Sequence, residues 1–178
     1  MIHLDAANAR SIQPSRSPGA IATVFLVAYL FLQGIGIAAH DSAFERWLIE
    51  DVNVQASVAL IDWLTPQAGA TAKETRIVAP GATLNVRQGC EGTEILIPLI
   101  AALLAYPFSW RTRLFGLVVG TVWVFVLNQA RILGLFYTFR AAPRLFGQLH
   151  GFVAPLLLIF GVLVFFLGVL QWERRRRA

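Results

Sequence analysis

Cysteine is almost missing: one residue in 178, Cys90. A lone cysteine excludes an intrachain disulfide and any CxxC zinc or redox site. Charge is scarce as well. Only 14% of the chain is charged while 57% is hydrophobic, against about 25% charged in ordinary soluble domains. Several apolar runs approach the ~20 residues that cross a bilayer. The net charge of +5 is carried by arginines dispersed between apolar segments, not by one basic stripe, so no nucleic-acid partner is expected. The composition therefore predicts an all-α polytopic membrane protein whose first partner is the lipid bilayer. About four transmembrane helices are expected, with interfacial helices and a small periplasmic β-hairpin.

Residues 1–18 are polar, with Ser11, Pro14, Ser15, Ser17 and Pro18, and predict a disordered cytoplasmic tail. A single membrane domain spans 19–172. Its first helix is expected over about 19–39, longer than the ~7–15 residue core of a cleaved signal peptide, which favours an uncleaved anchor. Residues 40–88 form the one sizeable polar insertion. Phe44, Trp47, Leu48, Val52, Leu60, Ile61 and Trp63 recur there at roughly helical spacing among charged residues, a pattern for one or two amphipathic helices at the interface. The stretch 66–72 breaks it, and Pro80-Gly81, flanked by 74–79 and 82–87, reads as a hairpin turn. Further membrane helices are expected over about 91–107, 114–137 and 151–172, with a polar connection holding Arg140, Pro143, Arg144, Gln148 and His150. Residues 173–178 make a basic tail whose Arg174–Arg177 run suits an anchor at anionic headgroups.

Arginine placement sets the orientation. With both termini inside, the cytoplasmic segments hold eight basic residues against seven outside, and the cytoplasmic ones hug helix ends in short loops. The expected location is the bacterial inner membrane, N-in and C-in.

That topology brings chemistry to the cysteine. Cys90 lies at the outer end of the second membrane helix, in its predicted first turn, where unpaired N–H groups and the helix dipole favour a thiolate. Glu94 is expected one turn deeper on the same face. The third helix enters near Arg113 and reaches Arg131 about 27 Å later, close to the outer surface, with Asn128 on the same face. His150 opens the last helix. A thiol, a guanidinium and an imidazole thus arrive in one leaflet. A thiolate can attack a peptide carbonyl to give a thioester. A histidine can protonate the leaving amine and later deprotonate the incoming nucleophile. An arginine can hold the oxyanion and lower the thiol pKa. Glu94 or Asn128 would orient Arg131 or His150, and Gly89 and Gly92 would let a substrate backbone approach the sulfur. Each residue also has a plainer reading: Cys90 as packing, Arg131 as a snorkelling side chain, His150 as a helix cap. Glu94 is harder to set aside, since ionisable groups in spans are costly and usually functional.

The order Cys90-Glu91-Gly92, then Asn128-Gln129-Ala130-Arg131 before an apolar run, then His150 leading the last helix, resembles the exosortase/archaeosortase family over about residues 75–172. The short chain looks most like the short-form exosortases. The resemblance implies a membrane cysteine peptidase or transpeptidase acting at the periplasmic face without cofactor or metal. Its substrates would be exported proteins carrying a C-terminal sorting signal of the PEP-CTERM kind: a short motif, a membrane helix and an arginine cluster. By position, Cys90 would be the nucleophile, Arg131 the oxyanion or substrate-orienting residue and His150 the acid/base. Glu91 stands where Ser or Asn is more usual in the family.

The rival class is a non-enzymatic membrane protein, a transporter subunit or assembly factor, in which Glu94, Asn128 and Arg131 form a buried polar network. A thiol reactive only above about pH 8.5 is expected of that rival. Metal binding through Cys90 and His150 lacks enough ligands.

Overall fold

The computed structural model describes residues 16–86 and 90–177. The tail predicted for residues 1–18 falls almost wholly outside the described residues, and so does Gly89. Helix α1, Pro18–Ala38, begins with the Ser17 hydroxyl accepting from the Ala20 N–H, and Pro18 occupies the first turn, where its missing N–H costs no hydrogen bond. No residue of α1 is buried, as suits an apolar helix whose solvent is lipid. After a left-handed Asp41, Ser42 caps α2, Ala43–Trp47. The helix widens into a π-helical stretch, Leu48–Val54, and continues as α3, Gln55–Leu64. The helices expected in the insertion are these.

A short 3-10 turn, Pro66–Ala68, leads to three strands: β1, Thr71–Lys73, β2, Arg76–Ala79, and β3, Ala82–Asn85. They form an antiparallel meander in the order β1-β2-β3, with Ile77 opposite Leu84 and Ala72 opposite Ile77. The predicted hairpin is β2–β3; β1 is an additional strand.

Among the described residues, three helices are long and apolar enough to cross a membrane: α1, α5 (Trp110–Ala141) and the Pro143–Arg177 segment. The fourth expected crossing, α4, Thr93–Ala105, has 13 residues, about 20 Å of helix against an apolar bilayer core of about 30 Å. Its ends explain its length. Gly92 begins it from a left-handed φ of 88°, and Tyr106, immediately before Pro107, is extended at ψ 141°, since a residue preceding proline is pushed out of the helical region. Helix α5 is longer than predicted at both ends. The connection expected between the last two helices is itself helical: α6, Pro143–Gln148, a second π-helical stretch, Leu149–Val153, and α7, Ala154–Arg177, follow one break at Ala142. The arginines 174–177 prolong α7.

Two cores result. One joins α4, α5 and α7 through Leu99, Leu103, Val124 and Val169. There a Cβ on Gly116 would lie 2.9 Å from Leu103, and one on Gly120 3.1 Å from Leu99, so this small-residue pair lets α4 lie close against α5. The other seats the insertion on the far half of α5, through Val54, Ile61, Ile77, Val86, Ile132 and Phe136.

At the opposite end the chain is tied by arginines and one buried carboxylate. Arg16, Arg113 and Arg177 donate to the carbonyls of Ala105, Tyr106 and Pro107 at 3.0, 3.4 and 2.9 Å, meeting the negative end of α4. Glu173 accepts from the Ser109 N–H, the Ser109 and Thr112 hydroxyls and Arg177. Both ends of the bundle are therefore polar, and they differ in chemistry.

Candidate active site

Cys90 is buried and sits before α4 rather than in its first turn, because the left-handed Gly92 is the N-cap. It therefore has no place on the α4 face that carries Glu94. What holds it is α5. Asn128 donates through Nδ2 to the Cys90 carbonyl at 2.8 Å and to Asn53 Oδ1 at 3.0 Å. A Cβ at Gly92 would lie 3.2 Å from Asn128 Cγ, so Gly92 admits Asn128 against the loop, and that space is filled from within.

Asn53 belongs to a wider amide network that hydropathy did not reveal. Gln129 Nε2 donates to Asn53 Oδ1 at 3.2 Å, and Ser57 donates to Gln129 Oε1 at 2.6 Å. Asn53 Nδ2 in turn donates to the Leu48 carbonyl at 2.9 Å, across the π-helical stretch. Asn53, Ser57, Asn128 and Gln129 are all buried. In an amphipathic pattern such residues look like a solvated face. The only available signal was four amides and hydroxyls at positions facing apolar neighbours.

Arg131 donates from Nη1 to Glu94 Oε1 at 2.7 Å, with side chains 6% and 39% exposed. The orienting role expected of Glu94 thus has a geometric partner in Arg131. Burial pushes the Cys90 thiol up; the Arg131 guanidinium pulls it down by less, and Glu94 and Glu91 add to the rise. The thiolate expected from a helix N-terminus is replaced by a thiol held neutral at rest. Resting reactivity above pH 8.5 consequently no longer separates an enzyme from inert packing. Glu91 itself accepts from the Thr93 hydroxyl at 2.8 Å.

His150 lies in the second π-helical stretch. Its ring stacks on Phe146 at 5.6 Å and 3°, and its Nδ1 is buried with no hydrogen-bond partner among the described residues. Cys90 and His150 line one cleft of about 470 Å³ bounded by β3, α5 and α6. Uninterrupted π-helical turns are rare and recur at functional sites; here each of the two contributes a polar side chain to this region, Asn53 from one and His150 from the other.

Asn128 is bonded to the Cys90 carbonyl and Arg131 to Glu94, and His150 lines the same cleft as Cys90, whereas Arg131 lines the adjoining cavity between α5 and α7. No curated protein and no solved structure matches the chain. A family model described as transmembrane exosortase matches residues 15–169, well over half of the chain. Three membrane-length helices, a polar cap of helices and strands, and that match lead to one statement: the chain belongs to the transmembrane exosortase family.

Proposed function

We propose that this protein is a cysteine peptidase/transpeptidase that cuts the C-terminal sorting signals of exported proteins through a thioester on Cys90. The observation that carries the reading is the shared cleft of Cys90 and His150. Family membership supports a membrane protease or transpeptidase role.

Because burial keeps the thiol neutral, the first step needs a base. His150 takes the thiol proton, and the sulfur attacks the scissile carbonyl carbon. Arg131 stabilises the oxyanion that forms; its pairing with Glu94 fixes the guanidinium plane beforehand. The imidazolium returns its proton to the leaving amine as the C–N bond breaks. Water or an acceptor amine then gives a proton to His150 and attacks the thioester; as the C–S bond breaks, the imidazolium returns that proton to the departing sulfur, restoring the neutral thiol and imidazole. Asn128 holds the nucleophile's own carbonyl and acts as a positioning residue.

The substrates are exported proteins with a motif, a membrane helix and an arginine cluster at the C-terminus, of the PEP-CTERM kind. The site faces the periplasm from the bacterial inner membrane, with both termini inside. The arginine-rich end, where Arg16, Arg113 and Arg177 converge on α4, supports that orientation. The rival reading, a non-enzymatic polar network, has the amide cluster in its favour. Yet the donors of that cluster go to its own members and to the Cys90 and Leu48 carbonyls, the work of a scaffold, with Asn128 Oδ1 alone in it buried and unpartnered among the described residues. Co-expression with a substrate bearing the cognate tail decides between them. Processing should cease in the Cys90→Ala variant; processing at the normal rate would end the peptidase reading.

A further inference from the structure

A second cavity, of about 240 Å³, opens between α5 and α7. Arg131 and Gly134 of α5 face Leu149 and Ala154 across it, and Ala130 and Leu157 stand at its rim. Both rim residues are exposed on faces of membrane-length helices, so the cavity opens sideways toward lipid. It is also next door to the cysteine cleft. Ile132 and His150 line that cleft, while their chain neighbours Arg131 and Leu149 line this cavity, so the two adjoin along α5 and along the Leu149–Val153 stretch.

We propose that this cavity is a substrate subsite, entered from the bilayer, that takes one neutral apolar side chain from the residues flanking the scissile bond. The inference rests on the peptidase reading above. Size favours it: sites for whole small molecules run to about 300–1,000 Å³, and this one is smaller, suited to a single side chain. Charge selects the class. Among the described residues Arg131 is the only charged one in the wall, and its Nη1 is already paired with Glu94 at 2.7 Å. An acidic side chain would have to compete with that carboxylate, whereas an apolar one leaves the pair intact. A substrate anchored by a membrane helix arrives from the lipid side, where the mouth lies.

Gly134 sets the depth. A Cβ there meets nothing within 4 Å, so a larger residue enters the cavity without a backbone clash. The test is Gly134→Leu, with Gly134→Ala as the milder second variant should the first fail to accumulate. Each is co-expressed with reporters in which every residue flanking the cleavage site is replaced in turn by Ala, Leu, Phe or Glu. At one position, processing of the Leu and Phe reporters should fall at least tenfold in Gly134→Leu and return to within twofold for Ala. A loss indifferent to the reporter's side chain, or no loss in either variant, overturns the proposal. A second readout needs no turnover. With a benzophenone amino acid at position 157 in the Cys90→Ala background, irradiation should give adducts to the reporter's flanking residues. Adducts to lipid alone overturn the subsite. Processing that survives Cys90→Ala removes the peptidase reading instead, while the adduct still decides the subsite.

Discussion

Arg131 and Glu94 meet across two helices at 2.7 Å, the guanidinium almost wholly buried and the carboxylate 39% exposed. The asymmetry matters more than the distance. Removing the exposed partner leaves a buried charge without its counterion, whereas removing the buried one leaves a carboxylate that water can still reach. Glu94→Ala should therefore destabilise the protein more than Arg131→Ala. The expected cost of Glu94→Ala is about 2 kcal/mol, between the ~0–1 of exposed pairs and the ~3–5 of broken buried ones. Thermal unfolding in detergent of both single variants and the double variant reads this, and equal or reversed losses would count against it.

The Cys90 thiol should be unreactive at neutral pH. Only the thiolate reacts, and burial raises the thiol's pKa, so more of it is protonated at any given pH. Maleimide labelling of purified protein should have its midpoint above the ~8.5 of free cysteine. Arg131→Gln removes the opposing charge and should move the midpoint up; Glu94→Gln removes a like charge and should move it down. A midpoint below 8.5 in the unsubstituted protein would show that the loop opens far more than its burial implies.

Gly92→Ala should cost about 1–3 kcal/mol, the range for a residue forced into a sparsely populated backbone region. Both the φ of 88° and the 3.2 Å approach to Asn128 contribute. Gly134→Ala, in open helix, should be neutral or stabilising by up to ~1 kcal/mol. Parallel melting curves distinguish the two, and similar curves would refute the strain argument.

Asn128→Asp keeps the shape of the side chain but removes the donor that serves the Cys90 carbonyl and Asn53. An unsatisfied buried acceptor costs about 1–3 kcal/mol. Processing should drop about tenfold or more. Ser57→Ala, at the far end of the same network, should lower stability slightly and leave processing within a few-fold. If both variants lose activity equally, Asn128 has no special hold on the nucleophile.

Long apolar runs and proline-glycine punctuation were enough to read the membrane helices and the β2–β3 hairpin. Residue spacing along α5 was enough to put Asn128 near the Cys90 loop, to whose carbonyl it donates. Four things were hidden, each for a physical reason. The displacement of Cys90 out of α4 depends on one backbone angle at Gly92, which no composition encodes. Strand β1 is three residues long and exists only because β2 offers an edge. The helical path through Pro143 and His150 mixes polar residues with glycines 147 and 151, so packing of Phe146 against Phe139, and not periodicity, organises it. The amide cluster was hidden for the same reason: Asn53 and Ser57 are polar residues turned inward, and only tertiary contact reveals the turn.

The shortness of α4 has a bearing on where a cut can fall. A 13-residue helix leaves about 10 Å of a 30 Å apolar layer uncrossed, and hydrocarbon does not tolerate bare polar backbone. Thinning of the lipid beside α1 and α4, water drawn down toward the Cys90 loop, or the protein's own burial of that loop makes up the difference. On the proposed peptidase reading, the scissile bond is then measured from the membrane like a depth mark on a gauge. A tail whose cleavable residues stand close to its own membrane helix reaches the sulfur by lateral diffusion alone, and one spaced several residues further out overshoots it.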